Sequence, residues 1–171
     1  MKKKIFSVIV FLVGCIGFVG AESILWGFTI TGDYQGWFDQ GNRMTHGVSG
    51  DMLNYTISAQ ADPQWRQETG LYKLNQSKDI TFEVVVKRTA GTARAQTEFY
   101  VNTVKIGAIQ MADNNDWQTL NFTYTGGTVS GPITLLRFDP ASGQNGSWAI
   151  DSITAVQLGA PRGLSLVAIT N

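Results

Sequence analysis

The stretch that decides the reading of this chain runs from Leu135 to Val156, LLRFDPASGQNGSWAIDSITAV. Leu136 and Phe138 alternate with polar residues, Arg137-Phe138-Asp139-Pro140 closes the run, and small polar residues follow as a turn. A second run then carries one carboxylate, Asp151, among apolar residues. Its alternation places Ile150 and Ile153 out of phase, so both are buried only if the strand bulges near Asp151 and Ser152.

The same period of two recurs upstream. Leu53, Tyr55 and Ile57 are spaced as on one face of a pleated strand, and so are Phe82, Val84 and Val86, Phe99 and Val101, and Leu120, Phe122 and Tyr124. Polar residues such as Glu83, Lys87, Asn121 and Thr123 stand between them, which is the pattern of half-buried antiparallel strands. Turn chemistry separates the runs at 47–51, 75–79, 113–116, Gly126-Gly127 and 142–146. A short helical turn is expected between Gln64 and Thr69. No segment keeps a helical period for three turns, and there is no internal repeat. The expected fold class is all-β, an antiparallel two-sheet β-sandwich of the jelly-roll kind.

Residues 1–21 read as a signal peptide ahead of that domain. Lys2, Lys3 and Lys4 precede the uncharged apolar run from Ile5 to Val19, and Val19-Gly20-Ala21 offers small residues for cleavage. Leu12-Val13-Gly14-Cys15 also fits a lipobox, with Cys15 as a lipidated N-terminus; because the apolar run continues past it, simple cleavage before Glu22 is the preferred reading. The run is short for a transmembrane helix. The domain is expected over 22–158 and a tail over 159–171, read as a last strand or a frayed end. The expected protein is secreted or held at the cell surface, and monomeric, with no membrane span in the mature chain.

The chain has 13 basic and 13 acidic residues, and setting aside Lys2, Lys3 and Lys4 leaves a formal charge of −3. That is no footprint for nucleic acid. The one cysteine, Cys15, lies in the leader, so disulfides, cysteine catalysis and structural zinc fingers are excluded from the domain. The one histidine, His46, is read in a Gly-rich loop and supports no imidazole metal site. No Ser-His-Asp set, no phosphate-binding loop and no alternating pair of glycosidase acids along one strand can be argued, so the chain is not read as an enzyme.

Three segments resemble a known family. "TGDYQGW" (Thr31 to Trp37) is similar to an opening strand followed by Gly-Trp, "GDMLNYTISAQADPQW" (Gly50 to Trp65) to a strand running into an Asp-Pro loop, and "LLRFDP" with "GSWAIDSI" to a closing pair of strands. Their order and spacing resemble the galactose-binding-like jelly rolls that include many carbohydrate-binding modules, over about Ile24 to Val156. The resemblance implies a secreted, non-catalytic module that binds a polysaccharide or glycan. It also implies a structural calcium bridging the first and last strands, with Asp33 and Asp151 among its ligands. Otherwise Asp151 caps a loop or pairs with an arginine such as Arg137.

A sugar site needs flat aromatic faces ringed by hydrogen-bonding groups. Trp65, Tyr72, Tyr100, Trp117 and Trp148 are available. Trp65, in a polar loop beside Arg66, is the first candidate, with burial as an even alternative. Tyr100 is out of phase with Phe99 and Val101 and so shares a solvated face with Gln96, Glu98 and Asn102. Arg137 is either a donor to sugar hydroxyls or the partner of Asp139 or Glu98. The candidate set is therefore Trp65, Arg66, Glu98, Tyr100 and Arg137, while Trp26, Trp37 and Trp117 are assigned to the core. The competing function is a structural or adhesive surface module of the same fold without a sugar site.

Overall fold

A computed structural model describes residues 21–58, 62–91, 95–141 and 144–158. The expected leader (save Ala21), Cys15 and the tail lie outside the described residues. The described residues form eleven strands: β1 (Ala21–Gly27), β2 (Trp37–Asp39), β3 (Thr45–Ser49), β4 (Met52–Ile57), β5 (Trp65–Gln67), β6 (Ile80–Ala90), β7 (Gln96–Val101), β8 (Val104–Gln110), β9 (Gln118–Tyr124), β10 (Leu136–Asp139) and β11 (Gly146–Leu158). One sheet of six strands is ordered β3-β4-β11-β6-β9, with β1 pairing β11 beside β4; the other, of five, is ordered β2-β5-β10-β7-β8. Every pairing is antiparallel. The chain alternates between the sheets and so knits them together, giving the two-sheet β-sandwich that the alternation implied.

The alternating sets face inward without exception. Leu53, Tyr55, Ile57, Phe82, Val84, Val86, Phe99, Val101, Leu120, Phe122, Tyr124, Leu136 and Phe138 are all buried. At the centre, Phe82 and Phe122 from one sheet meet Phe99 and Phe138 from the other, with centroids 4.7 Å apart for Phe82–Phe99 and 5.3 Å for Phe99–Phe122. Each such side chain contributes about 1.5–3 kcal/mol by leaving water. Trp26 and Trp37 join this core edge to face at 5.7 Å, as expected of both.

Asp151 sits where the phase of β11 changes. Ile150 pairs with Val86 and Ser152 with Val85, so Asp151 is the extra residue of a bulge. Ile150 and Ile153 are consequently both buried, and Asp151 is exposed, accepting a 3.0 Å hydrogen bond from Ser152 Oγ. The acid stands in an apolar run because the bulged position faces solvent.

Three expectations are corrected. Gly47, Val48 and Ser49 are not turn residues but the end of β3, and His46 lies on that strand; the turn is Gly50-Asp51, both at φ of +59°, the two-residue geometry that matches the twist of a hairpin. The expected helical turn between Gln64 and Thr69 is strand β5, since pairing with β2 and β10 outweighs local propensity; the helical turn forms instead at Leu71–Lys73. Trp117 is not core: it is 42 % exposed before β9, with Lys87 Nζ 4.5 Å from its ring. No described helix is long and apolar enough to cross a membrane.

Candidate functional site

The outer face of the five-stranded sheet gathers four of the five candidate residues. Register places Phe38 of β2 opposite Arg66 of β5, Arg66 opposite Arg137 of β10, Arg137 opposite Tyr100 of β7, and Tyr100 opposite Lys105 of β8. These five residues form one row across the whole sheet. Their chain neighbours Trp37, Trp65, Phe138 and Phe99 point the other way into the core. A second row on the same face holds Asp139 opposite Glu98.

Polar contacts tie the rows together. The Arg137 guanidinium lies 4.5 Å over the Tyr100 ring, donates from Nε to Asp139 Oδ1 at 2.6 Å and from Nη2 to Asp139 Oδ2 at 2.5 Å, and reaches Asp62 at 3.3 Å. Tyr100 donates its hydroxyl proton to Glu98 Oε2 at 2.5 Å, and Lys105 Nζ donates to Glu98 Oε1 at 3.1 Å. Arg66 donates from Nε and Nη2 to Gln64 Oε1 at 3.2 and 2.9 Å, Gln64 donates to Asp62, and Arg43 stands 3.7 Å from the same Asp62. Of the two expected partners of Arg137, Asp139 is the one it pairs with, while Glu98 is taken by Tyr100 and Lys105; Asp62, not expected, is a second acceptor.

These contacts set the charge states. Partial burial and the bond to Glu98 push the Tyr100 hydroxyl up to about 12, so it stays a donor through the physiological range. The same hydrogen bond, helped by Lys105 and Arg137 against the cost of burial, holds the Glu98 carboxyl below its ordinary value. Burial raises the Asp139 carboxyl although the facing Arg137 opposes it, and the bond to Asp139 raises the Arg137 guanidinium. A carboxyl lowered in the folded state adds stability above its unfolded value, and that stability is lost as pH falls through the folded value. Glu98→Gln should therefore narrow the loss of Tm that the wild type suffers below about pH 4.5, in melts run from pH 6 to 3.

Trp65 is not on this face. It is fully buried, 6.1 Å from Tyr55 and 5.0 Å from His46, inside an aromatic cluster that also includes Tyr34 and Trp148. The reason is parity: on a strand that turns Arg66 outward, Trp65 and Gln67 must turn inward. His46 accepts or donates at 3.1 Å with Tyr34 Oη and lies 4.0 Å from Asp39 Oδ2, packing against the core rim. Tyr72 is 85 % exposed on the turn after β5, beside a depression of about 290 Å³ that it lines with Glu68, Pro132 and Thr134.

Phe38 was missed. The one signal was indirect: once Trp37 is assigned to the core, its strand neighbour Phe38 turns outward, where it is 38 % exposed. Lys105, Asp62 and Gln64 were missed because only the pairing of β5, β7, β8 and β10 brings them to this face.

The expected metal ligands Asp33 and Asp151 each have a local partner. Asp33 already accepts from the backbone N–H and the side chain of Gln35, at 2.8 and 3.1 Å, and Asp151 is held by Ser152. Among the described residues no group of three or more His, Cys, Asp or Glu side chains is placed to hold a metal ion. Two carboxylates fall short of the six to eight oxygens calcium takes, so backbone carbonyls would have to supply most of the shell.

No family model and no curated protein matches the sequence. Solved structures do match. The xylan-binding domain CBM22-1 from Paenibacillus barcinonensis Xyn10C is 19 % identical over 80 % of this chain and 94 % of its own, with a TM-score of 0.58. A mutant of the family 29 carbohydrate-binding module CBM29-2 complexed with cellulohexaose is 11 % identical over 80 % of this chain and 91 % of its own, at 0.57, and the BiXyn10A CBM1 module is 13 % identical over 78 % and 95 %, also at 0.57. The chain has the jelly-roll β-sandwich fold of these carbohydrate-binding modules.

Proposed function

We propose that the protein is a secreted, non-catalytic carbohydrate-binding module whose polysaccharide lies on the outer face of the five-stranded sheet. The observation that carries this is the row Phe38, Arg66, Arg137, Tyr100 and Lys105, which sets two aromatic side chains among planar and charged hydrogen-bonding groups across all five strands. Sugar hydroxyls need such donors and acceptors, and sugar C–H faces pack on aromatic rings. The similar structures named as xylan-binding and cellulohexaose-bound support the reading. Trp65 drops out of the site, while Arg66, Glu98, Tyr100 and Arg137 remain in it.

Affinity electrophoresis through gels containing neutral, acidic and sulfated polysaccharides tests this. Retardation by at least one polymer is expected, and retardation by none leaves the rival reading of a structural or adhesive module. That rival draws on the extent to which Arg137, Asp139, Glu98 and Lys105 already satisfy one another. Tyr100→Ala should weaken retention by a factor of roughly two to twelve while the protein stays folded, since an aromatic contact adds about 0.5–1.5 kcal/mol beyond area burial.

The calcium at Asp33 and Asp151 is a separate proposal. The bulge at Asp151 supports it by turning a carboxylate out of β11 next to Ser152, which pairs with Gly27 at the end of β1. A resident ion binding only the folded state adds RT ln(1 + [L]/Kd). EDTA should then lower the Tm of the wild type and leave Asp151→Asn nearly unmoved; no response to EDTA in either removes the ion.

A further inference from the structure

The row across the sheet contains one pairing that folding alone does not reward. Arg66 and Arg137 are directly opposite each other on β5 and β10, and like charges so placed destabilise a sheet. Arg137 is neutralised by Asp139 and Asp62, Lys105 by Glu98 and Arg43 by Asp62. Arg66 is treated differently. Its Nε and Nη2 donate only to the neutral amide oxygen of Gln64, and among the described residues no carboxylate lies within ion-pair distance of it.

A guanidinium has five N–H donors, and Gln64 takes one from each of two nitrogens, so the Nη1–Nη2 edge keeps its forked pair of donors without a partner among the described residues. That fork matches a planar carboxylate in two parallel hydrogen bonds. On its other side, across β2, stands Phe38, an exposed ring that can take the C–H face of a sugar. A ring-stacking group and an unneutralised fork thus project from opposed positions on one face of neighbouring strands, whose backbones lie about 5 Å apart, so that a pyranose ring with an exocyclic carboxylate can engage both.

We infer that Phe38 and Arg66 form a subsite for a uronic-acid residue, so that the polysaccharide bound on this face carries carboxylates. The inference rests on the carbohydrate-binding reading and adds the charge class of the ligand. Residues 22–171 carry a formal charge of −3, so the protein as a whole repels a polyanion, and attraction to one must come from a local site.

The test is affinity electrophoresis of the protein in glucuronoxylan, in the same polymer after reduction of its carboxyl groups, and in dextran sulfate. Glucuronoxylan should retard the wild type at least tenfold more strongly than its carboxyl-reduced form, and the difference should shrink as salt is raised. Arg66→Gln should remove the preference for the native over the reduced polymer, Arg66→Lys should keep part of it, and Phe38→Ala should weaken binding to both polymers. A melt of each variant shows that it is folded. Equal retention on native and reduced polymer overturns the uronate subsite and leaves the carbohydrate-binding reading standing. Dextran sulfate retarding the protein as strongly as glucuronoxylan overturns the carboxylate assignment. Retention on no polymer overturns the carbohydrate-binding reading, and the subsite with it.

Discussion

Trp65→Ala is expected to cost about 3–5 kcal/mol of stability, the usual loss when a buried tryptophan becomes a cavity. At about 2–4 °C per kcal/mol for a chain of this size, Tm should fall on the order of 10 °C. The indole is fully buried and touches Tyr34, His46 and Tyr55, so its loss opens a void where β5 meets the rim of the six-stranded sheet. Among the described residues its Nε1 has no hydrogen-bond partner, and neither does the nearby Tyr55 hydroxyl, whose pKa burial raises well above its usual value. Trp65→Phe should therefore cost much less than Trp65→Ala, because it keeps most of the apolar contact and removes a buried donor that nothing satisfies. Thermal melts of the two variants check both statements. A Trp65→Ala protein that melts like the wild type but loses glycan retention would put the indole back on the surface.

Arg137→Met should destabilise nearly as much, for a different reason. The Asp139 side chain is 2 % exposed and Arg137 supplies both of its short hydrogen bonds, so removing the guanidinium strands a buried carboxylate. Breaking a buried pair on one side costs about 3–5 kcal/mol; Arg137 is 21 % exposed and Asp62 is not buried, which places this case at the lower end. Arg137→Met/Asp139→Leu should recover most of the loss, since no charge is then left buried. The single variant also has a pH signature. Burial already raises the Asp139 carboxyl, and without Arg137 it rises further. A carboxyl raised in the folded state favours folding below its unfolded value and loses that contribution as pH rises through the folded value. The deficit of Arg137→Met should accordingly shrink as pH is lowered from 7 toward 4. A deficit constant with pH, or a double variant no better than the single, would mean that the pair contributes packing rather than charge compensation. Because Arg137 both supports the sheet and faces the proposed ligand, Tyr100→Ala and Arg66→Gln are the cleaner probes of binding.

Much of the fold was legible along the chain because strand periodicity is a local property. Wherever a run was long enough to show its period, as at Leu53-Tyr55-Ile57, Phe82-Val84-Val86 and Leu120-Phe122-Tyr124, the inward residues were assigned correctly. The bulge at Asp151 followed from two isoleucines out of phase. Parity also placed Glu98, Tyr100 and Arg137 together on the solvated side of their strands, opposite the buried Phe99 and Phe138.

The errors share a physical cause. β2 and β5 are three residues long, too short to display a period, and exist because neighbouring strands satisfy their backbone groups. Trp65 was the first sugar-site candidate, with burial an even alternative, because its sequence neighbours are polar; its environment is made by Tyr34, His46 and Tyr55, which come from other segments of the chain. Trp117 read as core because a tryptophan at a strand entrance commonly is, and only the packing of Lys87 on its ring shows what it does instead. The sequence by itself determined the class of the fold, its inward faces and the position of the bulge, since each depends on residues one or two apart. Which side chains share the outer face of the five-stranded sheet, and that Arg66 stands opposite Arg137 without a carboxylate of its own, was decided only by the pairing of strands far apart in sequence.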